Sequence, residues 1–120
     1  FCNFNSVGQC SGAKPKIYLT WHNGFVVDRA DTIAAAKAAA ALDSVNKGEI
    51  ESTEGSKHFV HLIYAGQTGK ALATLDGLKV EQRRDFLRSF FATLKKSPFC
   101  SAVISFNERE AFAKLHRLAH

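Results

Sequence analysis

The sequence contains no methionine, only two prolines and no long apolar run. Its longest apolar stretch, residues 33–42, is rich in alanine and interrupted by Lys37. That stretch is far shorter than the ~20 apolar residues that a transmembrane helix needs, so we expect no membrane span. Hydrophobic residues make up 46% and charged residues 22% of the 120 residues, which is typical of a globular domain and excludes a disordered chain.

Cysteine is also scarce, with only Cys2, Cys10 and Cys100. Three cysteines allow one disulfide and leave one thiol over. A Cys10–Cys100 disulfide would tie the N-terminal residues to the body of the chain, with Cys2 free or bonded to another chain. A Cys2–Cys10 disulfide would only close the N-terminal segment on itself. Three reduced thiols in a reducing compartment are the alternative.

The chain opens on Phe1, whereas a complete translation product begins with methionine. We therefore expect that a leader has been removed or that the start has been trimmed. Together with the cysteines, this start predicts a secreted, extracellular protein, one that could also be translocated into host cells.

The positive charge lies in the last third of the chain. Residues 1–78 carry seven Lys or Arg and seven Asp or Glu, whereas residues 79–120 carry nine and four, so the net charge of +5 comes from the second part. A basic surface there could meet an acidic protein, a phosphate-rich ligand or a membrane. A merely solvated helix face is the interpretation we favour. The candidate basic residues are Arg83, Arg84, Arg88, Lys95 and Lys96.

Residue types and hydrophobic patterning predict four strands and three helices. Enrichment in β-branched and aromatic residues predicts strands over residues 16–22, 58–64 and 101–106, with a return strand over residues 70–75. Asn23-Gly24 ends the first strand, and Gly66 and Gly69 bracket the turn of a hairpin. Alanine-rich residues 32–46 predict a helix that starts at Asp28 or Asp31.

The C-terminal part is predicted to contain two further helices. Residues 80–95 are amphipathic, and Asn107, with Glu110 three residues later, is placed to cap a last helix. Apolar side chains at helical spacing are expected to face inward; they are Val80, Phe86, Leu87, Phe90, Phe91 and Leu94 in the first helix, and Phe112, Leu115 and Leu118 in the second.

This order of elements predicts a split βαβ arrangement. The fold expected from it is an α+β, ferredoxin-like sandwich with a four-stranded antiparallel sheet, helices on one face and a C-terminal helix. Residues 1–15 have no sustained periodicity and are expected to form an N-terminal arm, and residues 16–120 a single domain.

The residues that could carry chemistry do not form a recognisable catalytic motif. His58 and His61 would point to opposite faces of a strand, so they are not expected to share a metal. Gln67-Thr68-Gly69-Lys70 is interpreted as a turn between strands rather than a phosphate loop. We expect no enzyme, cofactor or metal site, and the alternative hydrolase hypothesis uses His22 with His58 or His61.

A small basic module that binds RNA or a nucleotide is a further alternative. Tyr18, Phe59 and Tyr64 lie on predicted strands, where exposed aromatics could stack bases. The chain has no basic-aromatic motif of that kind, so nucleic acid is not the expected partner. These aromatics are interpreted as core, or as a sheet surface that meets a protein.

The stretch from Tyr18 to Cys100 resembles a known family. Asn23-Gly24, the helix opening at Ala30-Asp31-Thr32-Ile33-Ala34, the helix with Phe86 and Phe90, and Cys100 before a last strand follow the layout of KP6-type killer toxins and KP6-like secreted effectors of plant-associated fungi. The chain departs from the family at residues 38–41, which are alanines where a cysteine is common.

The resemblance implies a KP6-like fold and a non-enzymatic toxin or virulence protein. Its expected partner is a host protein or a second effector protein. An intermolecular disulfide through the odd cysteine would be one form of that association. The resemblance implies no catalytic residues.

Overall fold

The computed structural model describes residues 16–42 and 53–120, and this part of the chain folds into two short strands followed by six helices. The strands are β1 (Leu19–Trp21) and β2 (Phe25–Val27). The helices are α1 (Arg29–Leu42), α2 (Thr53–Tyr64), α3 (Thr68–Ala73), α4 (Val80–Lys95), α5 (Cys100–Ser105) and α6 (Arg109–Leu118). The predicted N-terminal arm and the cysteines Cys2 and Cys10 lie outside the described residues.

The two strands form an antiparallel hairpin that pairs Leu19 with Val27 and Trp21 with Phe25. Asn23 and Gly24 occupy the turn at φ 53° and 136°, in the left-handed region that these residue types tolerate best. The strand before Asn23-Gly24 was predicted, although as a longer element. The return strand β2 was not predicted.

Helix α1 begins as the sequence predicts. The backbone N–H of Asp31 donates to Oδ1 of Asp28 at 2.9 Å, so Asp28 is the N-cap. Thr32, Ala36 and Ala40 recur every four residues and form the buried stripe of α1. Their small side chains pack α1 against α2, a helix, where the sequence had suggested a sheet.

Helix α2 is the central element, and the predicted strand over residues 58–64 is wrong. In the second half of the helix, five side chains are each at most 3% exposed, while His58 and His61 are half-buried; the five are Phe59, Val60, Leu62, Ile63 and Tyr64. Such a near-continuous apolar run does not distinguish a buried helix from a central strand.

The predicted hairpin turn at Gly66 is the end of α2 instead. The N–H of Gly66 donates to the carbonyl of Ile63 and that of Gln67 to the carbonyl of Leu62, which is the Schellman pattern. Gly66 adopts φ 75°, as the residue after such a helix does. The predicted return strand over residues 70–75 is therefore wrong, since the chain enters α3.

The predicted strand over residues 101–106 is also wrong, because Cys100–Ser105 is a short helix. Asn107 follows it and makes tertiary contacts rather than capping α6. Its side-chain amide donates to the carbonyls of Ile63 at 2.9 Å and Val103 at 3.0 Å, and its side-chain carbonyl accepts from the Thr68 hydroxyl. The N-cap of α6 is Glu108, without a side-chain cap hydrogen bond.

Helices α4 and α6 confirm the amphipathic predictions. Leu87, Phe90, Phe91 and Leu94 are buried on α4, and Phe112 and Leu115 on α6. Phe86 and Leu118 are partly buried against the core, whereas Val80 is 56% exposed, so its inward placement was wrong. The Phe59 ring stacks edge-on against Phe86 at 5.0 Å and Phe90 at 5.1 Å, which joins α2 to α4.

The ferredoxin-like, KP6-like sandwich with a four-stranded sheet is therefore wrong for the described residues, which are mainly helical with one two-stranded sheet. The predicted helix over residues 32–46 is confirmed as far as residue 42, and its last four residues lie outside the described residues; the helix over residues 80–95 and the C-terminal helix are confirmed. No helix within residues 16–42 and 53–120 combines the length and apolarity needed to cross a bilayer.

Candidate functional site

The β1–β2 hairpin carries an apolar surface that the core does not cover. We call it the hairpin surface. Its two most exposed members are Trp21 at 66% and Phe25 at 72%, and their rings form an edge-to-face pair with centroids 5.0 Å apart. The hairpin surface consists of Leu19, Trp21 and Phe25, with Tyr18 at its base; Val26 is also exposed but lies on the opposite face of the hairpin.

Strand alternation explains why the aromatic pair protrudes. The cross-strand pairs Leu19–Val27 and Trp21–Phe25 share one face of the hairpin, because alternate residues of a strand point to the same side. Val27 packs against the core at the base, so Trp21 and Phe25 project beyond it at the turn.

The base of the hairpin is fixed to α1 by hydrogen bonds. The backbone N–H of Tyr18 donates to the hydroxyl oxygen of the fully buried Thr32 at 3.0 Å. The N–H of Asp28 donates to the Tyr18 carbonyl at 2.7 Å. The aromatic pair is thus held on a well-anchored support, which reduces the entropy that a bound partner would have to remove.

Two open clefts lie on either side of α1, each of about 370 Å³. We call the first the cationic cleft because two lysines and a histidine line it. We call the second the hairpin-side cleft because Tyr18 lines it. The cationic cleft is formed by Lys37, Ala40, Ala41, His58, Leu62, Gln67 and Lys70. The hairpin-side cleft is formed by Lys16, Tyr18, Ala35, Ala36, Ala38, Ala39, Leu42 and His61.

The structure separates the three histidines of the hydrolase hypothesis. His58 lines the cationic cleft, His61 lines the hairpin-side cleft, and His22 lies in the hairpin turn and lines neither. His58 and His61 are three residues apart on a helix, so the prediction that they point to opposite faces of a strand was wrong. Within the described part of the chain, no group of three or more His, Cys, Asp or Glu side chains is placed to hold a metal ion.

The five candidate basic residues differ in their environments. Arg83 and Arg84 are half-buried, and their Nε atoms have no hydrogen-bond partner among the described residues. Arg88 Nε donates to the carbonyl of Ala119 at 2.9 Å, at the end of α6. Lys95 and Lys96 are exposed at the end of α4. A continuous basic surface for RNA or an acidic partner stays a prediction.

Cys100 is half-buried at the start of α5 and forms no disulfide with any of the described residues. A Cys10–Cys100 disulfide, and a free or intermolecular Cys2, stay predictions because Cys2 and Cys10 lie outside the described residues. Cys100 lies beside Tyr64, whose burial raises its pKa from 10.0 to about 12. Electrostatic repulsion from the nearby Cys100 contributes to this increase in pKa, and a side-chain hydrogen bond with Ser97 opposes it.

Sequence reasoning missed the exposed aromatic pair. The available signal was the placement of two large aromatics, Trp21 and Phe25, on either side of Asn23-Gly24, a dipeptide that favours tight hairpins. It also missed the cationic cleft, for which the sequence offers no local signal because Lys37, His58 and Lys70 come from three helices. Of the aromatics that were singled out, Phe59 and Tyr64 are buried in the core and Tyr18 is 41% exposed.

Comparisons of the chain with protein-family models, with curated proteins and with solved structures find no match. The functional argument therefore rests on the geometry of the hairpin surface and of the two clefts.

Proposed function

We propose that this protein acts by binding a protein partner through the hairpin surface, and that it does not catalyse a reaction. The observation that supports the proposal is the exposure of the Trp21–Phe25 pair at the end of an anchored hairpin. Contiguous exposed apolar side chains are uncommon on monomeric proteins and mark interaction sites. Tryptophan is moreover enriched among the residues that dominate binding energy at interfaces.

The protrusion of the Trp21–Phe25 pair from the anchored hairpin favours recognition by an apolar pocket of the partner. Trp21 and Phe25 would insert as neighbouring anchors, and Tyr18 would contact the partner at the base of the hairpin. Because Tyr18 also lines the hairpin-side cleft, a partner segment could extend from the aromatic pair into that cleft. We also propose that the protein is secreted, which the cysteine content supports. Its partner would then be a host protein or a second effector.

Selection of phage-displayed peptides on the immobilised wild-type chain tests the proposal. We expect the selected peptides to be rich in apolar and aromatic residues. Their affinity should fall by at least about 30-fold for the Trp21→Ala/Phe25→Ala double variant, the loss that a central interface residue typically causes. Trp21 is the only tryptophan, so its emission should shift to the blue when a peptide covers it.

The matched control is Val80→Ala, which removes an apolar side chain that is 56% exposed, from the start of α4. Its affinity for the peptides should equal that of the wild type, and all variants should keep the helical far-ultraviolet spectrum. Peptides that bind the double variant as tightly as the wild type would contradict the proposal. Concentration-dependent sedimentation that the double variant abolishes would assign the surface to a second copy of this chain.

A further inference from the structure

We propose that the cationic cleft binds a phosphate group carried by a small organic molecule with an apolar part. The cleft is formed where α1, α2 and the start of α3 meet, and each helix supplies a nitrogen-bearing side chain. Lys37 comes from α1, His58 from α2 and Lys70 from α3, with Gln67 beside them. Three separate elements thus converge on one concave site.

The charges in the cleft favour an anion with more than one negative charge. None of the described residues that line it is acidic, and Lys37 and Lys70 contribute two ammonium groups. The Gln67 side chain does not cap α3 by a hydrogen bond, which leaves its amide for a ligand. A carboxylate has a single negative charge and would balance one lysine, whereas a phosphate monoester carries a charge between −1.5 and −2 at neutral pH and three acceptor oxygens. Phosphate therefore fits this set of donors better.

The remaining lining is apolar and argues for more than inorganic phosphate. Ala40, Ala41 and Leu62 form that part of the wall, and Leu62 is 3% exposed. A volume of about 370 Å³ lies at the lower end of the range for small-molecule sites, which are typically a few hundred Å³. An apolar portion of the ligand would lie against these side chains while the phosphate contacts the lysines.

This site is independent of the proposed partner binding by the hairpin surface. Tyr18, at the base of the hairpin surface, lines the other cleft, on the far side of α1. The site is also distinct from the basic C-terminal third, because Lys37 and Lys70 precede residue 79. Failure of either proposal therefore leaves the other standing.

Nuclear magnetic resonance titration of the full chain tests the proposal with three probes at matched ionic strength. Phenyl phosphate carries both the charge and an apolar ring, inorganic phosphate carries only the charge, and phenol carries only the ring. We expect phenyl phosphate to cause saturable shifts that centre on His58, Leu62 and the amides of residues 67–70. Inorganic phosphate should bind more weakly, and phenol should leave these signals unchanged.

Two sets of variants locate the site. Lys37→Gln/Lys70→Gln should weaken phenyl phosphate binding at least about tenfold through the loss of two charge-assisted contacts, whereas Lys95→Gln/Lys96→Gln, with the same change in net charge, should not. Independently, Ala41→Glu adds a carboxylate at the cleft and should abolish binding. Ala38→Glu adds one on the same helix beside the hairpin-side cleft and should preserve binding.

Equal weakening in the two lysine pairs would show non-specific attraction and overturn the proposal, as would non-saturable shifts. If inorganic phosphate bound as tightly as phenyl phosphate, the proposal that the ligand has an apolar portion would be overturned. If phenol bound as tightly as phenyl phosphate, the proposal that the cleft recognises a phosphate group would be overturned.

Discussion

Tyr64 is a buried phenol near the C-terminal end of α2, only 3% exposed. Its surroundings decide which protonation state the fold tolerates. Burial penalises the charged phenolate and raises the pKa of Tyr64 to about 12, and the neighbouring Cys100 thiol acts in the same direction. The phenol is therefore expected to stay neutral in the folded chain at any physiological pH.

A spectrophotometric titration of Tyr18→Phe checks this value. The chain has two tyrosines, so the variant leaves Tyr64 as the only source of tyrosinate absorbance. We expect a midpoint near pH 12 in the folded state and near 10 in urea, where the phenol is hydrated. A midpoint near 10 in the folded variant would show that Tyr64 is not desolvated.

The same shift fixes the sign of a stability effect at high pH. Because the folded pKa is higher than the unfolded one, the unfolded chain releases its proton first as the pH rises. The contribution of Tyr64 to the free energy of unfolding is therefore complete below pH 10 and is lost between about 10 and 12, on the order of 2–3 kcal/mol. Tyr64→Phe should remove this part of the alkaline loss of stability.

At the scale of elements, Gly66 determines how α2 ends and how α3 begins. Its φ of 75° is strained for any residue with a Cβ, and a Cβ there would collide with the backbone carbonyl of Phe106. We expect Gly66→Ala to lower the free energy of unfolding by at least about 2 kcal/mol, from the strained backbone and the collision together. Chemical unfolding followed by circular dichroism measures it.

Gly69 offers the matched control for that substitution. It lies within α3, and a Cβ there would meet no atom within 4 Å. Gly69→Ala should raise the free energy of unfolding by about 0.5–1 kcal/mol, the usual gain from replacing a helical glycine. Equal effects at the two positions would contradict the role assigned to Gly66.

Helices with one buried and one solvent-facing side were predicted correctly from the sequence, because their apolar residues recur at helical spacing. Helix α4 alternates buried and exposed residues at helical spacing, and its bounds were predicted correctly. Helix α1 has a cap at Asp28 and a run of alanines. The second half of α2 is an almost continuous buried apolar run, and its β-branched and aromatic residues are typical of a strand. The six-residue helices α3 and α5 are too short for a periodic signal, and tertiary contacts such as those of Asn107 hold them in place.

The candidate site was less predictable than the fold. Asn23-Gly24 indicated a turn, but the exposure of Trp21 and Phe25 depends on where the core ends, and the core is built from residues far along the chain. The cationic cleft was not predicted for the same reason. Lys37 and Lys70 line the same cleft only because α2 is a helix and the chain turns at Gly66 into α3. The sequence predicted a strand in place of that helix.

At the scale of the whole molecule, two groups of aromatic side chains stand apart among the described residues. Phe59 is fully buried and its ring contacts link α2 to α4, with further ring contacts from Phe90 to Phe91 and from Phe91 to Phe112 on α6. Trp21 and Phe25 lie outside this network and contact each other. The first group stabilises the packing of α2, α4 and α6, and we propose that the second group binds a partner.

One substitution made at two positions tests this division. Phe59→Ala should lower the free energy of unfolding by about 3–5 kcal/mol, because it removes a fully buried ring and leaves a cavity between α2 and α4. Phe25→Ala, at a ring 72% exposed, should cost no more than about 1 kcal/mol, the contribution of its pairing with Trp21. Urea unfolding followed by far-ultraviolet circular dichroism compares the two. If Phe25→Ala destabilised the chain as much as Phe59→Ala, the hairpin would be part of the core, and its aromatic pair could not be assigned to a partner.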